Sequence, residues 1–110
     1  MHKIIIAGFG GQGILLLGQL MAYSAMKEGK EVSWMPSYGP EMRGGTAYCS
    51  VIISDKAIAS PIISSPDILV AMNKPSLNKF LSKARKGAYV FINSSLIDIK
   101  ADREDINAVY

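Results

Sequence analysis

The stretch Gly8-Phe9-Gly10-Gly11-Gln12-Gly13 has the spacing G-x-G-x-x-G between an apolar run, Ile4 to Ala7, and a helix-forming run that begins at Ile14. In that setting glycines let a backbone come close to a phosphate at a helix N-terminus, which makes Gly8, Gly10, Gly11, Gln12 and Gly13 candidate cofactor contacts. The same glycines would also serve a tight turn with close helix packing, and spacing alone does not choose between the two. A nicotinamide or flavin dinucleotide further wants an acidic residue at the end of the second strand, to hold the ribose. That position carries Met35-Pro36, while Glu31 stands at the wrong end of the strand, so a dinucleotide-dependent oxidoreductase loses ground.

A second unusual stretch runs Ser37-Tyr38-Gly39-Pro40-Glu41-Met42-Arg43-Gly44-Gly45. An aromatic ring, a carboxylate and a guanidinium are held there in a backbone shaped by proline and glycine, a mixture that a plain connection does not need. Arg43 can form bidentate bonds to a phosphate or a carboxylate while Tyr38 stacks, with Ser37 beside them. The structural alternative is an internal Glu41 to Arg43 pair. Asn73 follows an apolar run at a strand end and Ser76 reads as the N-cap of the next helix, so both would face a ligand at that edge.

The remaining reactive residue types point away from catalysis. Cys49 sits mid-strand among apolar neighbours and reads as a small buried hydrophobe. His2 is the only histidine, so no Ser–His or Cys–His pair can form within the chain, and no catalytic residue is assigned. One cysteine allows no internal disulfide and cannot hold an iron–sulfur cluster or a structural zinc, each of which takes about four ligands. No metal ligand is assigned either.

These residues need elements to position them. Lys3 to Ala7 predicts a strand buried on both faces, and Ile14 to Glu28 a helix stopped at Gly29. That helix opens with Ile14, Leu15, Leu16, Leu17 and Leu20, apolar around most of its circumference; one side is expected on the sheet and the other against a second protein. Glu31 to Met35 predicts the second strand and Thr46 to Ser54 the third, with Tyr48, Ser50 and Ile52 on one face and Ala47, Cys49, Val51 and Ile53 on the other. Ile68 to Met72 predicts a strand, Leu77 to Lys86 a helix whose basic end, Lys83 to Lys86, complements its dipole, and Ala88 to Ile92 a further strand. Strand-like character resumes at Ile106 to Tyr110 without a stop signal, which points to truncation at the C-terminus. The alternation predicts a single α/β domain with a doubly wound, mostly parallel, Rossmann-like sheet, whose ligands sit beyond the carboxyl ends of the strands. The glycine motif, Asn73 and Asn93 all fall on that edge.

Composition agrees with one small globular domain: 110 residues, 49% hydrophobic and 19% charged. A domain this small buries only roughly 60 to 70% of its unfolded surface, which favours an assembly. The net charge of +3 is scattered, without aromatics interleaved among arginines, so nucleic acid is not an expected partner. No signal peptide and no run of ~20 apolar residues is present, so the expectation is a cytoplasmic protein without a membrane contact.

Taken together, GFGGQGI, PSYGPEMRGGTAYCSVIISD and SPDILVAMNKPSLNKF resemble the gamma subunit of 2-oxoacid:ferredoxin oxidoreductases, closest to the 2-oxoglutarate synthase branch, as far as Phe80. The resemblance implies that residues 1–110 form the gamma domain of the pyruvate/ketoisovalerate oxidoreductase type, within an anaerobic-type enzyme of alpha, beta and in some cases delta subunits. That enzyme oxidatively decarboxylates a 2-oxoacid with coenzyme A and reduces ferredoxin. Thiamine diphosphate, Mg2+ and [4Fe–4S] clusters would then sit on sister subunits, with none bound tightly here. The glycine motif, Ser37, Tyr38, Arg43 and Asn73 would contact either coenzyme A or a neighbouring subunit. The alternatives are a pyruvate or branched-chain 2-oxoacid enzyme, or a free-standing nucleotide- or coenzyme A-binding module.

Overall fold

A computed structural model describes residues 1–9, 13–37, 46–60, 62–95, 97, 100–101 and 103–110, with the backbone alone for Phe9, Ser37 and Thr46. Strand β1 (His2–Phe9) leads to helix α1 (Ile14–Lys27), then β2 (Glu31–Ser37), β3 (Thr46–Ser54), β4 (Ile68–Ala71), helix α2 (Lys74–Phe80), β5 (Tyr89–Ile92) and β6 (Asn107–Val109). The strands form one sheet in the order β2-β3-β1-β4-β5-β6. β4, β5 and β6 run parallel to β1, while β3 is antiparallel to both β1 and β2. β2 therefore shares the direction of β1, and β3 is the one reversed strand in a mostly parallel sheet.

The central position of β1 follows from its side chains. Ile4 and Ile6 enter one core with Ile14, Ala22, Cys49 and Val51, beneath α1. Ile5 and Ala7 enter the other with Leu69, Val90, Leu77 and Phe80, beneath α2. A strand without a polar face has to be covered on both sides, and the two helices lie on opposite faces of the sheet, as the doubly wound reading requires. β3 divides as its alternation predicts: Cys49 and Val51 face α1, and Tyr48 packs on the α2 side.

The first helix ends as its sequence signals. Gly29 takes the left-handed conformation at φ 82°. The Lys30 N–H then reaches back to the Ala25 carbonyl at 3.1 Å and the Gly29 N–H to that of Met26 at 3.0 Å, a Schellman closure. β2 continues past its predicted end through Pro36, which pairs with Cys49. An edge strand tolerates the missing N–H, because one row of its backbone groups needs no partner.

The second helix departs from its prediction. Asn73, not Ser76, is the N-cap: its side-chain oxygen accepts the Ser76 N–H at 2.9 Å, and Pro75 sits in the first turn. Ser76 is a buried residue inside the helix. The α-helix closes at Phe80 and a single 3-10 turn covers Leu81–Lys83, so Arg85 and Lys86 stand outside it rather than in its last turn. Arg103 explains the early end, since its guanidinium donates to the Leu81 and Ala84 carbonyls at 2.8 and 2.7 Å and takes over the role of a further helical turn. No helix among the described residues is long and apolar enough to cross a membrane.

Candidate functional site

Strand direction and register put the candidate residues on one rim. β1 ends at Phe9, paired with Thr46 at the start of β3, and β2 ends at Ser37, paired with Tyr48. On the other side, Ala7 pairs with Ala71 and Ala71 with Ile92, the last residues of β4 and β5. Gly8, Gly13, Ser37, Asn73 and Asn93 therefore lie at or just beyond one edge of the sheet. The two stretches rich in glycine and proline both leave the sheet from that edge. Gly10, Gly11, Gln12, Tyr38 and Arg43, with Glu41, lie outside the described residues.

Gly8 and Gly13 do different work. Gly8 is a ladder residue opposite Ala47, so the first glycine of the motif belongs to the strand and not to the turn. Gly13 is the N-cap of α1 at φ 77°, a left-handed conformation that a side chain would strain, although a Cβ there would meet nothing within 4 Å. It offers no side-chain acceptor, and the first turn of α1 holds no acidic residue. The first N–H groups of a helix lack intrahelical acceptors and carry the positive end of its dipole, so this turn presents donors at the rim with no carboxylate of its own beside them.

On the other side of the rim Asn73 is 3% exposed and committed to its cap. Asn93 closes its own turn by accepting the Ser95 N–H at 3.1 Å. Tyr48 and Lys79 add a ring and a cation that the sequence did not mark. Tyr48 meets Phe80 edge to face with centroids 4.9 Å apart, and the Lys79 ammonium stands 5.5 Å from the Tyr48 centroid. Their signal is faint, because a strand tyrosine and a helix-surface lysine are ordinary until the register brings them together.

Two observations weaken a dinucleotide reading further. β3 lies between β1 and β2, whereas a dinucleotide fold sets its second strand beside its first. Glu31 pairs with Ser54 at the opposite edge of the sheet. Cys49 is fully buried, and desolvation pushes its thiol up to about 11, partly offset by the Trp34 indole N–H. A thiol so placed stays protonated at neutral pH and is a poor nucleophile.

The strand order and the helices on both faces describe a mostly parallel α/β domain, and comparison with known proteins agrees on that fold. Residues 3–109 match the pyruvate ferredoxin/flavodoxin oxidoreductase family, and the chain belongs to that family. It is 44% identical to ketoisovalerate oxidoreductase subunit VorA of Methanothermobacter marburgensis, over 97% of this chain and 22% of that protein. It is 38% identical to 2-oxoglutarate synthase subunit KorC of Methanothermobacter thermautotrophicus, over 94% of this chain and 54% of that subunit. Among solved structures, the keto/oxoacid ferredoxin oxidoreductase gamma subunit of Geobacter sulfurreducens superposes with a TM-score of 0.83 at 31% identity, over 99% of this chain and 60% of that one. The 2-oxoglutarate:ferredoxin oxidoreductase of Magnetococcus marinus, solved with 2-oxoglutarate, coenzyme A and succinyl-CoA bound, gives 0.84 at 25% identity, over 97% and 19%. The chain thus spans about half of the KorC subunit and about a fifth of VorA.

Proposed function

We propose that residues 1–110 act as the gamma domain of a coenzyme A-dependent 2-oxoacid:ferredoxin oxidoreductase, supplying a rigid rim rather than the reacting groups. The observation that carries this reading is the convergence of Gly13, Ser37 and Asn73, with the flanks of both glycine-rich stretches, on one sheet edge in a chain of this family. The first turn of α1 would offer its N–H groups to an anionic group, Asn73 would hold the start of α2 beside it through its cap, and Gly10, Gly11, Gln12, Tyr38 and Arg43 would be further contacts. Arg43 would pair with a coenzyme A phosphate or with a carboxylate of a neighbouring subunit. Thiamine diphosphate, Mg2+ and the [4Fe–4S] clusters would be held by alpha, beta and delta partners, which would also meet ferredoxin. The donor set here fits that division, since a cluster needs about four thiolates and the chain has one cysteine, buried and protonated.

For the oxoacid, the motif resemblance favours 2-oxoglutarate, and the 44% identity to a ketoisovalerate enzyme favours a branched-chain acid. Succinyl-CoA and isobutyryl-CoA formation by the reconstituted complex separates the two. The role of Arg43 is tested in the same complex with Arg43→Ala. A raised coenzyme A requirement with intact assembly places it on the cofactor, and failed assembly places it on a subunit. If neither changes, the arginine has no part in either contact.

A further inference from the structure

The glycine rim is only as well placed as the helix that borders it, and one contact sets the height of that helix above the sheet. Gly18 lies one turn into α1, on its buried side. A Cβ at Gly18 would stand 2.5 Å from the Cys49 sulfur, 2.9 Å from Trp34 Nε1 and 3.2 Å from Trp34 Cδ1. The helix therefore rests directly on these two side chains, as near to the sheet as a glycine permits. From below, the Cys49 thiol donates to the carbonyl of Ile14, the first residue of the helix, at 3.4 Å. The indole nitrogen of Trp34 is buried beside the same glycine, with no hydrogen-bond partner among the described residues. Pairing of Pro36 with Cys49 and of Trp34 with Val51 fixes both side chains on adjacent strands.

We propose that Cys49 is a positioning residue for the glycine rim, its thiol acting as spacer beneath Gly18 and as anchor for the Ile14 carbonyl. The inference rests on the rim being the working edge of the domain, as argued above. A sulfur suits both tasks. It fills the space under a glycine without the second branch of valine, and as a protonated thiol it remains a weak donor in an apolar setting. The pull falls on the first turn, directly after Gly13, where the Leu17 N–H closes on the Gly13 carbonyl at 2.9 Å. The last turn is held independently by the Schellman closure at Gly29.

The test uses Cys49→Ala, Cys49→Ser and, as a control, Val90→Ala in the core on the opposite face. Hydrogen exchange is followed at the amides of Leu17 to Gln19, at the last turn of α1 and along β4, and coenzyme A affinity is measured on the reconstituted complex. In Cys49→Ala, exchange in the first turn is expected to speed up about tenfold while β4 is unchanged, as a local opening would do. Coenzyme A affinity is expected to fall by a similar factor. Cys49→Ser, which keeps a donor, is expected to recover most of both. Val90→Ala is expected to lower the melting temperature and leave the first turn as it was. Exchange that rises equally along α1 and β4 in Cys49→Ala, or does not rise in the first turn, overturns the positioning role. Wild-type complex that shows no dependence on coenzyme A overturns the reading of the edge instead, and the exchange data then judge Cys49 alone.

Discussion

Asn73 shows what a single side chain does at the rim. Its carboxamide oxygen accepts the Ser76 N–H at 2.9 Å in a site that is 3% exposed, so no water stands ready to replace it. Asn73→Ala is expected to cost about 1 to 2 kcal/mol, the upper range for a lost cap, because a buried donor is left without an acceptor. Asn73→Ser should recover most of this in a urea titration; equal losses in both variants would show that the cap is not the source. The role of Asn73 was half legible in the sequence. A strand-end asparagine beside Lys74-Pro75-Ser76 signals a helix start, but Asn73 and Ser76 are both good caps, and only the hydrogen bond decides between them. Gly18 was not legible at all, since a glycine inside a helical run has no local signature of the cysteine and tryptophan that press on it from distant strands.

At the scale of elements, what could be read was what local pattern controls. α1 and β3 were predicted to within a residue, and β1 was placed correctly but ended two residues short at Ala7, because burial on both faces, a glycine stop and strict alternation are written within each segment. The end of α2 was missed because Arg103, more than twenty positions beyond Phe80, sets it. Arg103 binds Asp105 through Nε and Nη2, at 2.8 and 2.7 Å, while Nη1 donates to the Leu81 and Ala84 carbonyls, so one side chain joins the 3-10 turn to the entry of β6. Removing it with Arg103→Ala is expected to loosen β6 first, seen as faster exchange at Asn107, whose N–H binds the Ala88 carbonyl at 2.8 Å. The same bond has a pH signature. The hydrogen bond from Arg103 holds the Asp105 carboxyl below its ordinary 3.8, so the unfolded chain takes up that proton first as pH falls. Its contribution is complete above about pH 5 and is lost progressively below 3.8 as the folded carboxyl protonates. Acid loosening of β6 should therefore be absent from Arg103→Ala, and an acid response identical to wild type would refute the assignment.

The sheet as a whole is covered unevenly. α1 packs on β1, β2 and β3, while Val90 and Ile92 of β5 turn to the opposite core. That leaves Tyr89 and Phe91, with Val109 in register beside Phe91, on the α1 side with no helix of the described residues over them, at 53, 41 and 43% exposure. The outer surface of α1 adds Leu16, Leu20, Tyr23 and Met26, each more than half exposed. The all-round apolar start of this helix was visible in the sequence; the bare half of the sheet was not, because strand order decides which positions α1 reaches. Scattered apolar residues on a surface need no explanation, but contiguous ones of this size are unusual on a small monomer. The protein studied alone should therefore bind an apolar dye such as ANS strongly while keeping the near-ultraviolet signal of Trp34, which separates a packed domain with bare surfaces from a molten state. Leu16→Gln with Leu20→Gln should remove one share of that binding and Phe91→Gln another, additively, since the two patches lie apart. Weak dye binding by the wild type, or loss of the Trp34 signal along with it, would mean that these surfaces close on themselves and that the sheet needs no cover from outside.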